Sequence, residues 1–306
     1  MMKTKTKKIN AAKRKKLRRA VVALVAVMCA AVTLLAVLFV HNRNKPADYT
    51  VASLAESGVD TADIFLIAHR GFRAMAPENT APAYEKAGQA GYRGAECDIY
   101  RTSDGVWVLH HDSKTGRMMN CNVEIEKTPY TYFTKLTEAN GHLKHYTDNG
   151  HFIEDYPFLP ITTLQEYLDI CDKYGMTAVI ELKGENNREH YGEIMEITAA
   201  HTCDVQYISF GKDNLLRLRT LGAEEPMFLL VHNINDDAIA AAQEIGNCGI
   251  SFNADVRKNL ENDGEAIRKI TAAGLYAAAW TVDSPETVQA LDRYGVTYIT
   301  TNCLTY

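Results

Sequence analysis

The stretch TLQEYLDICDKYGMTAVIELKG, residues 163–184, contains one complete helical pattern and the strand-like run that follows it. Apolar residues recur at helical spacing after Thr163, and Glu166 three residues later completes the pattern of a capping box. Gly175 is the residue type that most often ends a helix, and the apolar run that begins at Ala178 is typical of a buried strand. The stretch therefore predicts one α/β unit in which a strand follows a helix across a short glycine turn.

The same unit recurs along the chain. Helical patterns end at Gly222, Gly246, Gly274 and Gly295, and an apolar run typical of a buried strand follows each of them. Eight strand-and-helix units in about 260 residues predict a (β/α)8 TIM barrel, with a doubly wound open sheet as the alternative. The predicted strands are Ile64–His69, Gly94–Tyr100, Ala178–Gly184, Gln206–Phe210, Met227–His232, Cys248–Asn253, Leu275–Val282 and Thr297–Asn302.

Two departures from this alternation follow the second predicted strand. Asp104 and Gly105 form a tight-turn pair, which predicts that Val106–Asp112 folds back on the strand as a hairpin arm. Residues 113–160 then show no sustained periodicity, and a loop of this length in a compact domain usually has a function. We expect this insertion to lie at the mouth of the barrel as a lid or a specificity loop.

The amino-terminal end differs in composition from the rest of the chain. Residues 1–19 contain ten Lys or Arg, and residues 20–40 carry no charge. As a helix, this uncharged stretch is roughly 31 Å long, which is enough to cross a bilayer. We therefore predict a basic tail at 1–19 that contacts anionic membrane lipid, an uncleaved transmembrane helix at 20–40 and a linker at 41–62; a cleaved signal peptide is the alternative. A short helix is expected within Tyr49–Gly58, before the first barrel strand.

The charge balance predicts on which side of the membrane the barrel, residues 63–306, lies. The whole chain has 33 Lys+Arg and 38 Asp+Glu, a formal net charge of −5. Residues 1–45 hold twelve of the basic residues and no acidic one, so the remainder carries a formal net charge of −17. An excess of Lys and Arg before a span keeps that end cytoplasmic, so we expect a single-pass protein of the cell membrane whose acidic domain is extracellular. An acidic domain also argues against binding to nucleic acid.

Acidic side chains cluster on the second and third predicted strands. Glu96 and Asp98 are two residues apart on one strand and so face the same side, and Glu181 lies on the next strand. Charges inside a barrel are costly unless they pair or bind a metal, and barrel active sites lie at the carboxyl ends of the strands. Three carboxylates form an oxygen cage suited to one divalent cation, Mg²⁺ or Ca²⁺.

Basic and imidazole groups fall at the same strand ends. Arg70 and Lys183 lie beside the predicted cage and suit a phosphate, because a guanidinium grips two oxygens and an ammonium acts as a point charge. His69 follows the first strand and His111 lies on the hairpin arm, so the two could act as acid and base. A metal, a phosphate clamp and two histidines together indicate cleavage of a phosphate ester.

Five motifs in a fixed order resemble those of the glycerophosphodiester phosphodiesterase family. They are AHRGFRAMAPENTAPAYEKA (68–87), GAECDIYRTSDGVWVLHHD (94–112), VIELKG (179–184), AAAWTVD (277–283) and YITTN (298–302). The resemblance covers residues 64–306 apart from the insertion, and several motifs in order are far more specific than any one alone.

The resemblance implies a metal-dependent phosphoric diester hydrolase that converts glycerophosphodiesters to glycerol 3-phosphate and an alcohol. It implies attack by the substrate's own 2-hydroxyl, giving a cyclic phosphate that water then opens. It also implies the roles of seven residues, but leaves open which histidine is the acid. These are His69 and His111 as the acid–base pair, Arg70 and Lys183 at the phosphate, and Glu96, Asp98 and Glu181 at the metal.

Other residues of the motifs have two readings each. Trp280, at the end of the seventh predicted strand, either binds substrate by stacking or packs in the core. Glu78 and Asn79 are expected to fix their loop by hydrogen bonds, with contact to the substrate as the alternative. Asp112 is expected to orient its neighbour or cap the turn.

The alternatives for function keep the same barrel. A lysophospholipase D-like enzyme or a cyclising phospholipase would use the same site on a lysophospholipid-type substrate. A catalytically silent binding or scaffold barrel would be expected to lack a histidine or a carboxylate of the set, and all of these residues are present.

Overall fold

The computed structural model describes Met28 and residues 49–134, 156, 159–184, 187–254 and 261–306. The predicted tail at 1–19, the predicted span at 20–40 apart from Met28, and residues 41–48 of the predicted linker lie outside the described residues. Among the residues that are described, no helix has the length and apolar character needed to cross a membrane.

Strands and helices alternate along the described part of Asp48–Tyr306. The strands are β1 (Ala52–Ser53), β2 (Phe65–Ala68), β3 (Gly94–Arg101), β4 (Trp107–Leu109), β5 (Thr177–Leu182), β6 (Val205–Ser209), β7 (Met227–Val231), β8 (Cys248–Asn253), β9 (Ala277–Trp280), β10 (Tyr298–Thr301) and β11 (Leu304–Thr305). The helices are α1 (Ala81–Gln89), α2 (Tyr130–Thr134), α3 (Leu164–Tyr174), α4 (Tyr191–Ala199), α5 (Lys212–Thr220), α6 (Asp236–Ile245), α7 (Glu261–Ala272) and α8 (Pro285–Asp292).

Eight of these strands close into a parallel barrel. The order around the barrel is β2, β10, β9, β8, β7, β6, β5 and β3, and β3 pairs back with β2. The predicted (β/α)8 barrel is therefore confirmed. The open-sheet alternative is wrong because β2 pairs with both β3 and β10, which closes the sheet on itself.

The unit quoted first shows why the sequence folds in this way. Thr163 caps α3 by accepting from the Glu166 backbone N–H, and the Glu166 carboxylate accepts from the Thr163 backbone N–H at 2.8 Å. Gly175 ends the helix with φ of 63°, a left-handed conformation that favours glycine. In β5, which follows, Glu181 pairs in register with Asp98 of β3. The helix end thus sets the register that brings two acidic residues side by side.

The hairpin arm is also confirmed. Gly105 has φ of 94°, and β4 returns antiparallel to β3 with Leu109 opposite Ile99. The arm pairs with the end of β3 that lies beyond its contact with β2, and so it carries His111 to the mouth of the barrel.

The first part of the insertion has more structure than its sequence indicates. Two 3₁₀ helices, Thr115–Arg117 and Ile125–Lys127, precede α2. Met118 and Met119, Ile125 of the second 3₁₀ helix and Phe133 of α2 form a separate buried cluster with Tyr100 of β3 and Val108 of β4. The sequence pattern does not predict these elements within residues 113–134, because elements of three to five residues are too short to show a period. Residues 135–155 and 157–158 of the insertion lie outside the described residues.

The helix expected within Tyr49–Gly58 is replaced by a strand and a turn. Ala52 of β1 pairs with Leu304 of β11, and Leu54 is fully buried. Tyr306 adds to this closure, because its hydroxyl accepts from Leu66 N at 2.8 Å at the start of the barrel. A two-residue strand whose partner lies at the other end of the chain leaves no periodic signal.

The interior of the barrel is apolar at one end and charged at the other. A cluster that includes Val179, Phe228 and Tyr298 fills the end where the strands begin, and Ile208 of the same cluster reaches the cavity above it. Because alternate residues of a strand face opposite sides, Glu96 and Asp98 point inward while Cys97 packs between the strand and the helices. The apolar plug therefore closes the barrel at the end where the strands begin, and a cavity lies at their carboxyl ends.

Candidate active site

A cavity of about 280 Å³ opens at the carboxyl ends of the barrel strands. The structure brings all eight residues predicted for the site to this end of the barrel. Seven of them line the cavity, namely His69, Arg70, Glu96, His111, Glu181, Lys183 and Trp280. The eighth, Asp98, lies beneath the lining with no exposed surface and contacts Arg70 and Lys183.

Glu96, Asp98 and Glu181 form a buried carboxylate cluster. One oxygen of each lies within 4.8 Å of the others. Burial and the neighbouring carboxylates raise the pKa of Glu96 well above its usual value, and burial, opposed by Lys183, raises the pKa of Glu181 to about 7. Within the described residues, Glu96 Oε1 has no hydrogen-bond partner. Three crowded carboxylates, one with an unpartnered oxygen, fit a hard divalent cation.

Two basic side chains lie against this cluster. Lys183 Nζ is 2.9 Å from Asp98 Oδ1 and 2.6 Å from Glu181 Oε1. Arg70 Nε is 3.3 Å from Asp98 Oδ2, and the Arg70 backbone N–H donates to Glu96 Oε2 at 2.9 Å. Although burial acts in the opposite direction, these cations hold the pKa of Asp98 well below its usual value. Both cations also line the cavity, where they can face an anion.

Arg70 has a strained backbone conformation, and its side chain is held by a further acidic residue, Glu78. Its φ is 57°, a left-handed conformation that non-glycine residues seldom adopt and that often occurs at functional sites. Its guanidinium donates from Nη1 to Glu78 Oε1 at 2.9 Å. Glu78 is 1% exposed and also contacts Arg73 and Arg117, each at 2.6 Å. The predicted role of Glu78 in fixing its loop agrees with these contacts.

Asn79 connects the same loop to the carboxylate cluster. Its Nδ2 donates to Asp98 Oδ2 at 2.8 Å, and its Oδ1 accepts from the Tyr84 hydroxyl at 2.9 Å. It too has a left-handed φ, of 56°. The loop is thus fixed by Asn79 at the cluster and by Glu78 at the guanidinium groups.

His69 is held by a chain of two side chains that its sequence context does not indicate. Its Nδ1 lies 2.8 Å from Asn302 Oδ1, and Asn302 Nδ2 donates to Asp283 Oδ2 at 2.7 Å. Burial, reinforced by the charge of Arg70, lowers the pKa of His69 well below its usual value. The ring is therefore held neutral and in one orientation.

His111 lies across the cavity with a different partner. Its Nδ1 is 2.9 Å from Asp112 Oδ1, so Asp112 orients its neighbour as expected. Arg117 Nε donates to the other oxygen of Asp112 at 2.5 Å. The side chain of His111 is 34% exposed, whereas His110 points away and is buried.

Three aromatic rings form the wall of the cavity opposite the charged groups. Phe210 stacks on His232 with centroids 5.1 Å apart, and both rings meet Trp280 edge to face at 5.6 and 5.7 Å. Trp280 also donates from Nε1 to the Ser251 carbonyl oxygen at 3.1 Å. Phe210 and His232 were not predicted, although each ends a predicted strand and so stands where barrel active sites lie.

Comparison with known proteins gives one family. The model of the Glycerophosphoryl diester phosphodiesterase family matches residues 69–304. The Bacillus subtilis protein named glycerophosphodiester phosphodiesterase is 26% identical over 251 residues, which are 78% of this chain and 83% of that protein. The human glycerophosphodiester phosphodiesterase 1 is 33% identical over 125 residues, which are 41% of this chain and 35% of the human protein. The match thus spans about a third of the human relative's length.

Solved structures share the fold. A phosphodiesterase of Oleispira antarctica, solved in complex with the product sn-glycerol-3-phosphate, superposes with a TM-score of 0.68 at 24% identity. The match covers 82% of this chain and 96% of the Oleispira chain. A glycerophosphodiester phosphodiesterase from Thermotoga maritima superposes with a TM-score of 0.61 at 23% identity, covering 78% and 94% of the two chains.

Proposed function

The chain belongs to the glycerophosphoryl diester phosphodiesterase family, and from that premise we propose that it hydrolyses glycerophosphodiesters to glycerol 3-phosphate and an alcohol. The observation that carries this proposal is the cavity itself, which gathers three carboxylates, two cations and two histidines within one barrel mouth. The name of the Bacillus subtilis relative and the product bound to the Oleispira enzyme point to the same substrate class.

Glu96, Asp98 and Glu181 would hold one divalent cation, Mg²⁺ or Ca²⁺. Their oxygens lie close enough to share one ion. Among the described residues, Glu96 Oε1 has no hydrogen-bond partner and is available to bind it. Bound there, the cation would supply positive charge to the phosphate oxygens. Arg70 and Lys183 line the cavity beside the cluster and would hold the remaining phosphate oxygens.

The hydrogen bonds of Asn302 support His69 as the base. Because Asn302 Nδ2 donates to Asp283, its Oδ1 faces His69 and can only accept. His69 therefore carries its proton on Nδ1, which leaves Nε2 unprotonated. The lowered pKa of His69 keeps the ring in this neutral form, so that Nε2 can take the proton of the glycerol 2-hydroxyl.

His111 is then the acid. Its Nδ1–H donates to the Asp112 carboxylate, so the proton that it transfers is carried on Nε2. As the 2-hydroxyl oxygen attacks phosphorus, the bond to the leaving alcohol breaks and His111 protonates that oxygen. Water then opens the cyclic phosphate with the roles exchanged, since His111 takes a proton from water and His69 returns one to the 2-oxygen.

The direct test uses the full-length protein. With Mg²⁺ or Ca²⁺ present it should release glycerol 3-phosphate from glycerophosphocholine or a related diester, and His69→Ala should abolish the release. Failure to release product from any glycerophosphodiester with either metal would contradict the proposal and favour a scaffold role. The ratio of cyclic to linear product would separate a hydrolase from a cyclising phospholipase.

The aromatic wall supports a second class of substrate. Phe210 is 46% exposed and lines the cavity together with Trp280, so the two rings present apolar surface to a ligand. A lysophospholipid-type diester would place apolar surface there, against Phe210 and Trp280. Trp280→Ala should then raise KM for lysophospholipid more than for glycerophosphocholine, whereas a packing role would lower stability and affect both substrates equally.

We also propose that residues 1–40 anchor the enzyme in the cell membrane with the barrel outside. The support is the sequence pattern of ten basic residues followed by a long uncharged stretch. Protease added to intact cells should then digest the barrel, and digestion only after cell lysis would contradict this topology.

A further inference from the structure

We propose that Arg117 is a positioning residue that holds His111 in place for protonation of the leaving alcohol. The inference rests on the proposed function, and it concerns a residue of the insertion rather than of the strand ends. Arg117 is the last residue of the 3₁₀ helix Thr115–Arg117.

The guanidinium of Arg117 joins two carboxylates that belong to different loops. Nε donates to Asp112 Oδ2 at 2.5 Å, and Nη2 donates to Glu78 Oε1 at 2.6 Å. Asp112 in turn holds His111 Nδ1 at 2.9 Å. One planar group therefore ties the residue that orients His111 to the loop that carries Glu78.

The two ends of this connection differ in rigidity. Asp112 is 35% exposed and lies on the hairpin arm, where a side chain held by one hydrogen bond could rotate. Glu78 is 1% exposed and is also held by Arg70 and Arg73. Arg117 thus fixes the exposed carboxylate of Asp112 by linking it to the buried carboxylate of Glu78. Because Glu78 Oε1 also accepts from Arg70 Nη1, the same atom fixes the phosphate clamp and the histidine relative to each other.

The geometry requires an arginine. Two N–H groups of the planar guanidinium are used, Nε for Asp112 and Nη2 for Glu78, and a lysine ammonium cannot reach both carboxylates in a fixed direction. Loss of Arg117 would leave Glu78 with two guanidinium partners, so the buried carboxylate would remain paired. The barrel should therefore still fold, while Asp112 and His111 lose their fixed orientation.

Arg73 provides a matched control. It contacts the other oxygen of Glu78 at 2.6 Å and does not contact Asp112, so Arg73→Ala removes one guanidinium from Glu78 without releasing His111. The variants Arg117→Ala, Arg117→Lys and Arg73→Ala would be compared in the full-length protein.

The readout is the dependence on the leaving group. Two glycerophosphodiesters are compared, glycerophosphocholine and the p-nitrophenyl ester of glycerol 3-phosphate. An alkyl alcohol needs a proton to leave, whereas p-nitrophenolate leaves without one. Misplacing a catalytic group by about 1 Å costs about 100-fold, so Arg117→Ala should lower kcat for glycerophosphocholine by about 100-fold. Its single-turnover rate of p-nitrophenolate release should change by less than about 3-fold, because this step precedes opening of the cyclic phosphate and needs no acid. KM for both esters should also change by less than about 3-fold, because the phosphate clamp remains.

Arg117→Lys should behave like Arg117→Ala, and Arg73→Ala should change both esters by the same small factor. Equal losses on the two esters for Arg117→Ala, or no loss on glycerophosphocholine, would overturn the inference. If Arg117→Ala fails to fold, Asp112→Asn breaks the same connection at its exposed end and must show the same selective loss, or the inference is wrong. A wild-type protein that hydrolyses neither ester would overturn the proposed function and this inference with it. An active wild type without a selective loss in Arg117→Ala would overturn this inference alone.

Discussion

Replacing Asp283 with asparagine tests the assignment of His69 as the base. The Asp283 carboxylate accepts three hydrogen bonds, from Asn302 Nδ2 at 2.7 Å, from Asn302 N at 2.8 Å and from the Thr301 hydroxyl at 3.0 Å. An amide offers one acceptor oxygen, so in Asp283→Asn two donors would face each other. Rotation of the Asn302 amide relieves this conflict and turns Nδ2 toward His69. The ring must then accept at Nδ1 and carry its proton on Nε2, where the base is needed.

The size of the effect follows from what is lost. A positioned general base contributes about 10²–10⁴ in rate, so we expect kcat of Asp283→Asn to fall by about that factor. KM should change by less than about 3-fold, because Arg70 and Lys183, the cations that face the phosphate, are held by Asp98 and not by Asp283. The weakened hydrogen bonds should also cost about 1–3 kcal/mol of stability.

The assay pairs steady-state kinetics with nitrogen NMR of the histidine ring, which reports the protonated nitrogen directly. Ser284→Ala is the matched control, since Ser284 accepts from Thr287 N at 3.2 Å as the cap of α8. Its loss should cost about 1 kcal/mol without altering Asn302. A kcat for Asp283→Asn within about 3-fold of this control, or an Nδ1 that stays protonated on His69, would refute the reasoning.

Three further outcomes are expected. Glu96→Gln should weaken binding of Mg²⁺ or Ca²⁺ at least about 10-fold in calorimetry, because it removes a charge from the carboxylate cluster, and unchanged affinity would place the ion elsewhere. Three arginine side chains, acting against burial, hold the pKa of Glu78 well below its usual 4.5, so its contribution to stability is full above about pH 4.5 and is lost as the pH falls through the lowered value. The difference in melting temperature between wild type and Glu78→Gln should therefore be largest near neutral pH and shrink in acid, and a constant difference would contradict it. Gly249→Ala should cost about 1–3 kcal/mol in denaturant unfolding, since its Cβ would lie 2.6 Å from the Phe228 ring and 2.7 Å from a backbone oxygen, whereas Gly192→Ala, with open space, should not destabilise the protein.

The barrel could be predicted because its signals are local. The capping box at Thr163 and the glycine at 175 lie within one helix, and each later helix ends in the same way. The pair β1 and β11 could not be predicted, because Ala52 and Leu304 are separated by almost the whole barrel and each strand has two residues. Local sequence patterns predict periodic helices and strands, but they do not predict which segments far apart in the sequence pair with each other.

The residues of the site divide in the same way. Glu96 and Asp98 could be predicted because two charged residues, two positions apart, stand out in an otherwise apolar strand sequence. Buried charges are costly unless they pair or bind a metal. Asn302 and Asp283 could not, because their role depends on which atom of an amide faces which ring. Arg117 also stayed hidden, because it lies where periodicity ends and its partners come from two other loops. Charged residues in buried strands can therefore be predicted from the sequence, whereas the residues that orient them by hydrogen bonds cannot.

The net charge of the site can be compared with the charge of the substrate that it would bind. With all three carboxylates of the cluster ionised, they exceed the charges of Arg70 and Lys183 by one, and burial opposes this excess by raising the pKa of Glu96 well above its usual value. A divalent cation would reverse the balance and leave one positive charge in the cavity, which matches the single negative charge of a phosphodiester. Metal-ligating carboxylates must be deprotonated, and the pKa of Glu96 is raised well above its usual value, so cation binding should be accompanied by release of protons from the cluster.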